Sequence, residues 1–191
     1  MKKIIAAAAL AFAANSAFAG IVNGDFATGD LSGWTTDGYV SVQNNGSYYF
    51  GDLFAGLGTN VSTTLSQTLH LDAGDKVTGN AQFFAHDYMP FNDFASVTID
   101  GVVLFSSDVA TVGNYGTSAL TPFTWTALTA GDYVLTAGVA NNLDNSVNSE
   151  LQLSNVTVSA EVPEPASIAL FGLGLAGLGA LRRKAGRKSA K

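Results

Sequence analysis

Few residues in this 191-residue chain are types that do chemistry. There are two histidines, His70 and His86, and no cysteine. Thiolate nucleophiles, thiolate metal sites and disulfides are therefore excluded. His70 sits between Leu69 and Leu71 in an alternating run, and His86 precedes Asp87 where another such run ends. A His86–Asp87–Asp93 set matches no recognised metal-ligand spacing. No G-x-S-x-G elbow occurs. Asp72 with Asp75, and Asp87 with Asp93, fall in turn-like stretches, where aspartate commonly hydrogen-bonds nearby backbone. Glycoside hydrolysis needs two carboxylates facing each other across a cleft, and spacing alone sets up no such pair. No catalytic set is predicted. The oxygen-rich loop "NGDFATGD" offers Asp25 and Asp30, with Asn23, as weak calcium candidates. "NNLDNSVN" (Asn141–Asn148) supplies further oxygens. No other metal or cofactor is expected.

Aromatic side chains are the remaining functional resource. A CH-rich sugar ring packs well on a flat aromatic surface. Tyr88 and Phe91 in "HDYMPFND", and Tyr115 in "GNYG", occupy irregular stretches and are the candidates for glycan contact. The same residues also suit plain loop packing. Trp125 alternates with Phe123 and Ala127, which predicts burial, and Trp34 after "LSG" is expected to cap one end of the fold.

The elements that must position these residues read as strands. From residue 20 to 160, Gly, Asn, Asp, Ser and Thr punctuate short alternating runs. "ASVTID" followed by Gly101 and "VVLF" is a hairpin with a two-residue Asp-Gly turn. Further strands are expected at 39–43, 47–51, 61–71, 75–86, 121–128, 132–140 and 150–160. Eight or nine short antiparallel strands cannot bury one face as a single sheet, but two packed sheets can. The fold class is therefore all-β, an antiparallel two-sheet jelly-roll sandwich. "LDAGDKV" and "LTAGDYV" share one pattern and are expected to form equivalent corners of the two sheets, with Gly74 and Gly131 free to take positive φ.

The two ends differ from this body. Lys2 and Lys3, a short apolar run and "AFA" (Ala17 and Ala19 flanking Phe18) form a signal peptide over 1–19. At the other end, Pro163-Glu164-Pro165 precedes a glycine-spaced apolar span, 166–181, and a basic tail, 182–191. The formal net charge is −6, yet the basic residues sit at the two ends. Only Lys76 lies in 20–160, among every carboxylate but Glu161 and Glu164. Such a body repels nucleic acid, whose binding requires Lys and Arg against phosphate. Sixteen residues give about 24 Å of helix, short of a hydrocarbon core. Arg182 and Arg183 would snorkel to cover the mismatch. Such a span, with its charges on the cytoplasmic side, suits a temporary membrane stop.

This tail closely resembles the PEP-CTERM sorting signal of exported bacterial proteins: Pro163, Glu164 and Pro165, the apolar span, then Arg182, Arg183 and Lys184. The resemblance implies processing by an exosortase near Pro163–Pro165. It also implies passage through the Sec translocon and the inner membrane to the cell surface or an extracellular polysaccharide matrix. "IVNGDFATGDLSGWT" (21–35) resembles the first strand of galactose-binding-like, carbohydrate-binding jelly rolls. Ala27 and Ser154 depart from that pattern at positions near the calcium site of related modules. The expected organisation is 1–19 signal peptide, 20–160 sandwich and 161–191 sorting signal. The expected function is a non-catalytic, exported sandwich, structural or weakly glycan-associated. A specific carbohydrate-binding module is the alternative, and a polysaccharide-active enzyme a third reading.

Overall fold

The computed structural model of the chain describes residues 20–160. The expected signal peptide, with Ala17 and Ala19, and the sorting segment from 161 onward lie outside the described residues. No helix among the described residues is long and apolar enough to cross a membrane.

Ten strands form in chain order: β1 (Thr35–Asp37), β2 (Tyr39–Asn44), β3 (Tyr49–Phe54), β4 (Thr63–Leu71), β5 (Lys76–Phe84), β6 (Phe94–Ile99), β7 (Val102–Asp108), β8 (Thr121–Thr126), β9 (Gly131–Ala140) and β10 (Glu150–Ser159). One short helix, α1 (Val109–Val112), follows β7. The first sheet runs β1-β4-β9-β6-β7 and the second β2-β3-β10-β5-β8. All pairings within them are antiparallel. The order has a simple logic. β3 lies beside β10, β4 beside β9, β5 beside β8 and β6 beside β7, so the chain behaves as one long hairpin rolled into two sheets. That is the jelly roll, and it explains why no helix is needed between strands.

Alternation does the burying. Leu65, Leu69 and Leu71 of β4, Val77, Ala81 and Phe83 of β5, Leu135, Ala137 and Val139 of β9, and Leu151 and Leu153 of β10 are all fully buried between the sheets. A period of two puts every second side chain on the inner face. At the Asp100-Gly101 turn both residues take positive φ, 45° and 79°, as a type I′ hairpin requires.

Three features depart from the sequence expectation. β1 is an additional edge strand, paired to β4. α1 is a single turn started by Asp108, whose side chain accepts from the Thr111 N–H at 2.8 Å. Of the two glycine corners, Gly74 takes φ 95° but Gly131 does not take positive φ and simply opens β9. The corners differ in their aspartates too: Asp75 is buried and accepts from the Asp72 N–H, whereas Asp132 is exposed and faces His70 at 2.7 Å.

Trp34 does close one end of the core. Its ring stacks on Phe26 at 5.3 Å and its Nε1–H donates to the Asn23 carbonyl. Trp125 is only half-buried and meets Tyr133 edge-on at 4.9 Å. The expected burial there falls to Phe123 instead.

Candidate functional site

The residues facing away from the core on the second sheet form an unusual surface. Strand register aligns Tyr39 with Phe54, Phe54 with Glu150, and Glu150 with Phe84. Partners directly opposite in antiparallel strands share a face. At about 4.8 Å between strands, Tyr39 and Phe84 end a row about 14 Å long. Tyr39 is 61% exposed and Phe54 37% exposed. His86, just past β5, lies nearly parallel to both phenylalanines: 6.3 Å and 9° from Phe54, 6.5 Å and 14° from Phe84. Its Nε2 is 3.2 Å from Glu150 Oε2.

The next row along aligns Ser41, Asp52, Gln152 and Gln82. Gln152 Nε2 donates to Glu150 Oε1 at 2.6 Å, and Gln82 Nε2 donates to the Ser118 carbonyl at 2.9 Å. Asp52 is buried although it faces away from the core, and no protein donor reaches its Oδ1. Its carboxyl lies within hydrogen-bonding reach of Glu150. Burial, reinforced by that second carboxyl, pushes Asp52 up to about 8. A second carboxyl so close makes the charged form of Asp52 costly, so Asp52 keeps its proton near neutral pH. The surface thus combines ring faces, planar amides and a carboxyl pair.

The aromatic residues singled out from sequence come together beside it. Tyr88 meets Phe91 edge-on at 5.4 Å and Tyr115 at 5.7 Å. Two bonds hold the loops in place: the Tyr115 N–H donates to the Asp87 carbonyl, and the Met89 N–H to Asn114 Oδ1. Thr117, two residues past Tyr115, bridges to Phe84, so the loop cluster adjoins the end of the aromatic row. Tyr88 and Tyr115 are 41% and 66% exposed.

Other carboxylates serve the fold around them. Asp25 Oδ1 accepts from the Ala27 N–H, and Asp30 Oδ1 from Thr28 Oγ1 and the Ser32 N–H. Those bonds, led by Ser32, hold Asp30 below the usual carboxylate value. His86, Asp87 and Asp93 point to different partners. Asp87 Oδ1 accepts from the Tyr88 N–H, and Asp93 accepts from Ser149 Oγ at 2.7 Å and the Asn142 N–H. Desolvation raises Asp93. No group of three or more His, Asp or Glu side chains among the described residues is placed to hold a metal ion.

Sequence reasoning missed Asp52, Glu150, Gln152, Phe54 and Phe84. The signal was present strand by strand: alternation puts Phe50, Asp52 and Phe54 on one face of "YFGDLF", and Gln82, Phe84 and His86 on one face of "AQFFAH". What spacing did not show is that β3, β10 and β5 lie side by side.

A family model described as the PEP-CTERM protein-sorting motif matches residues 161–184. No curated protein matches the chain significantly. Among solved structures, a carbohydrate-binding module, TmCBM61, determined with β-1,4-galactotriose, is similar at 18% identity and TM-score 0.46, covering 73% of this chain and 96% of that one. A family 16 carbohydrate-binding module is similar at 18% identity and TM-score 0.43, covering 73% and 99%. The K3 adhesin domain of Lys-gingipain from Porphyromonas gingivalis is similar at 16% identity and TM-score 0.45, covering 73% and 97%.

Proposed function

We propose that this chain is an exported, non-catalytic β-sandwich that an exosortase releases to the cell surface or extracellular polysaccharide matrix. There it holds glycan weakly through the outward face of the second sheet. The sorting motif at 161–184 supports passage through the membrane. The observation that carries the glycan reading is the transverse row of Tyr39, Phe54 and Phe84 around Glu150 and His86. Ring faces pack on sugar CH groups, and carboxyls and amides hydrogen-bond hydroxyls. Tyr88, Phe91 and Tyr115 extend that row with further rings.

Two features support a binding rather than a hydrolytic role. Hydrolysis of a glycosidic bond uses carboxyls about 5–9.5 Å apart, with the substrate or a water between them. Asp52 and Glu150 instead stand on adjacent strands of one face, both buried, and do not line opposite walls of a cleft. The remaining buried aspartates, Asp75, Asp87 and Asp93, are engaged by backbone N–H groups.

Affinity electrophoresis of the secreted protein through gels carrying polysaccharide tests the proposal. The Phe54→Ala/Phe84→Ala double variant should lose about 10-fold or more in retention, since each ring contributes about 0.5–1.5 kcal/mol beyond its area. Unchanged retention would remove the face from the account. Micromolar affinity for one defined oligosaccharide would instead favour a specific binding module.

A further inference from the structure

We propose that the Asp52–Glu150 pair makes this face selective for glycans without negative charge, so that uronic-acid and sulfated chains are rejected. The inference rests on the glycan reading above and names the ligand class for that same site.

Three observations carry it. First, the pair sits in the middle of the face, flanked by Phe54, Phe84 and His86, where a bound sugar would pass. Second, nothing nearby offsets its charge. Residues 20–160 contain every carboxylate except Glu161 and Glu164, no arginine, and only Lys76. Lys76 opens β5, eight residues from Phe84, about 27 Å along the strand. His86 already faces Glu150. Behind the row, Asp93 bonds to Ser149, next to Glu150 in the chain, and Asp87 adds another carboxylate. Third, the groups that reach the pair are few: Gln152 Nε2 donates to Glu150 Oε1 and His86 Nε2 faces Glu150 Oε2. No protein donor reaches the buried Asp52 Oδ1. At the surface of the face, a sugar hydroxyl can donate to an exposed acceptor, whereas an ionised uronate or sulfate group brings only acceptors and a further negative charge. With no lysine or arginine to bridge them, that further charge is opposed by the pair's own negative charge at short range, where salt screens poorly.

Retention of the secreted protein is measured at pH 7.5 and 0.15 M salt in gels carrying a neutral β-glucan or galactan, polygalacturonate, or dextran sulfate. The native protein should be retained at least 10-fold more by a neutral polymer. Asp52→Asn/Glu150→Gln should gain at least 10-fold retention on the acidic polymers. Asp100→Asn/Asp132→Asn removes the same formal charge from the far end of the first sheet and should gain nothing comparable. Glu150→Gln alone should show the gain in smaller measure, which keeps the test decisive if the double variant does not fold. Equal retention of acidic and neutral polymers by the native protein overturns the inference. So does a gain shared by both double variants. In either case neutral retention that is lost in Phe54→Ala/Phe84→Ala leaves the glycan face standing. Retention by no polymer overturns both.

Discussion

Asp52 is the residue whose environment departs furthest from that of a surface carboxylate. It faces outward, is 5% exposed, and stands beside a second carboxyl. Its folded value of about 8 lies above the unfolded model value of 3.8. Below about pH 4 both states hold the proton, and the contribution to stability is fully present. Between about pH 4 and 8 only the unfolded chain has lost it, so stability falls as pH rises, by at most about 1.4 kcal/mol per pH unit for one proton. Asp52→Asn should flatten that part of the curve. Thermal melts of native and variant protein should therefore differ more at pH 8 than at pH 4, with the variant the more stable. Parallel curves would show that the carboxyl is not held protonated. A second prediction concerns Gly24 in the first loop. A Cβ there would lie 2.1 Å from the Val156 carbonyl oxygen, against backbone that has no side chain to move aside. That approach is matched by a Val156 N–H to Gly24 carbonyl bond at 2.9 Å and by the positive φ of Asn155 in a β10 bulge. Gly24→Ala should destabilise the fold by about 1–3 kcal/mol, read by chemical denaturation.

At the level of elements, the strands were largely legible and their neighbours were not. "ASVTID" and the Asp100-Gly101 turn specify β6 and β7 through local alternation and the backbone a type I′ turn needs. A two-sheet sandwich follows from counting strands and burying one face of each, but not the order of strands within the sheets. β1 escaped because three exposed residues, Thr35 to Asp37, carry no alternation. α1 escaped because one helical turn has no period to read. Its cue was Asp108, which the Thr111 contact holds below the usual carboxylate value. Asp108→Ala should cost about 1 kcal/mol, and less below the carboxylate's folded value, where the native side chain is itself protonated. Tyr88, Phe91 and Tyr115 stood out as aromatic residues in two irregular segments; that the two segments meet is seen only in the fold. The Asp52–Glu150 pair was invisible because its partners lie on strands nearly a hundred residues apart in sequence. Only the roll of the chain brings their strands together and sets their rows next to each other.

The whole molecule is polar in its layout. Glu150 opens β10 and Ser159 closes it, nine residues and about 30 Å further on. The sorting motif starts at residue 161, just beyond that far end. Gly20 and Ile21 also lie beside Val156–Val158. Both chain ends of the sandwich therefore leave from the pole opposite the aromatic row, and cutting near Pro165 leaves the row untouched. Mass spectrometry of protein isolated from the native host's surface or matrix should give a C-terminus near Pro163–Pro165. An intact Lys191 in that material would contradict release by a sorting enzyme. The central claim is that the outward face of the second sheet holds glycan. Hydroxyl-radical footprinting of the secreted protein, with and without the host's extracellular polysaccharide, tests it most directly. The account predicts that oxidation of Tyr39, Phe54, Phe84 and His86 falls when polysaccharide is present, while the exposed valines 102 and 103 on β7 are unaffected. Protection on β7 with none on that aromatic row would contradict it.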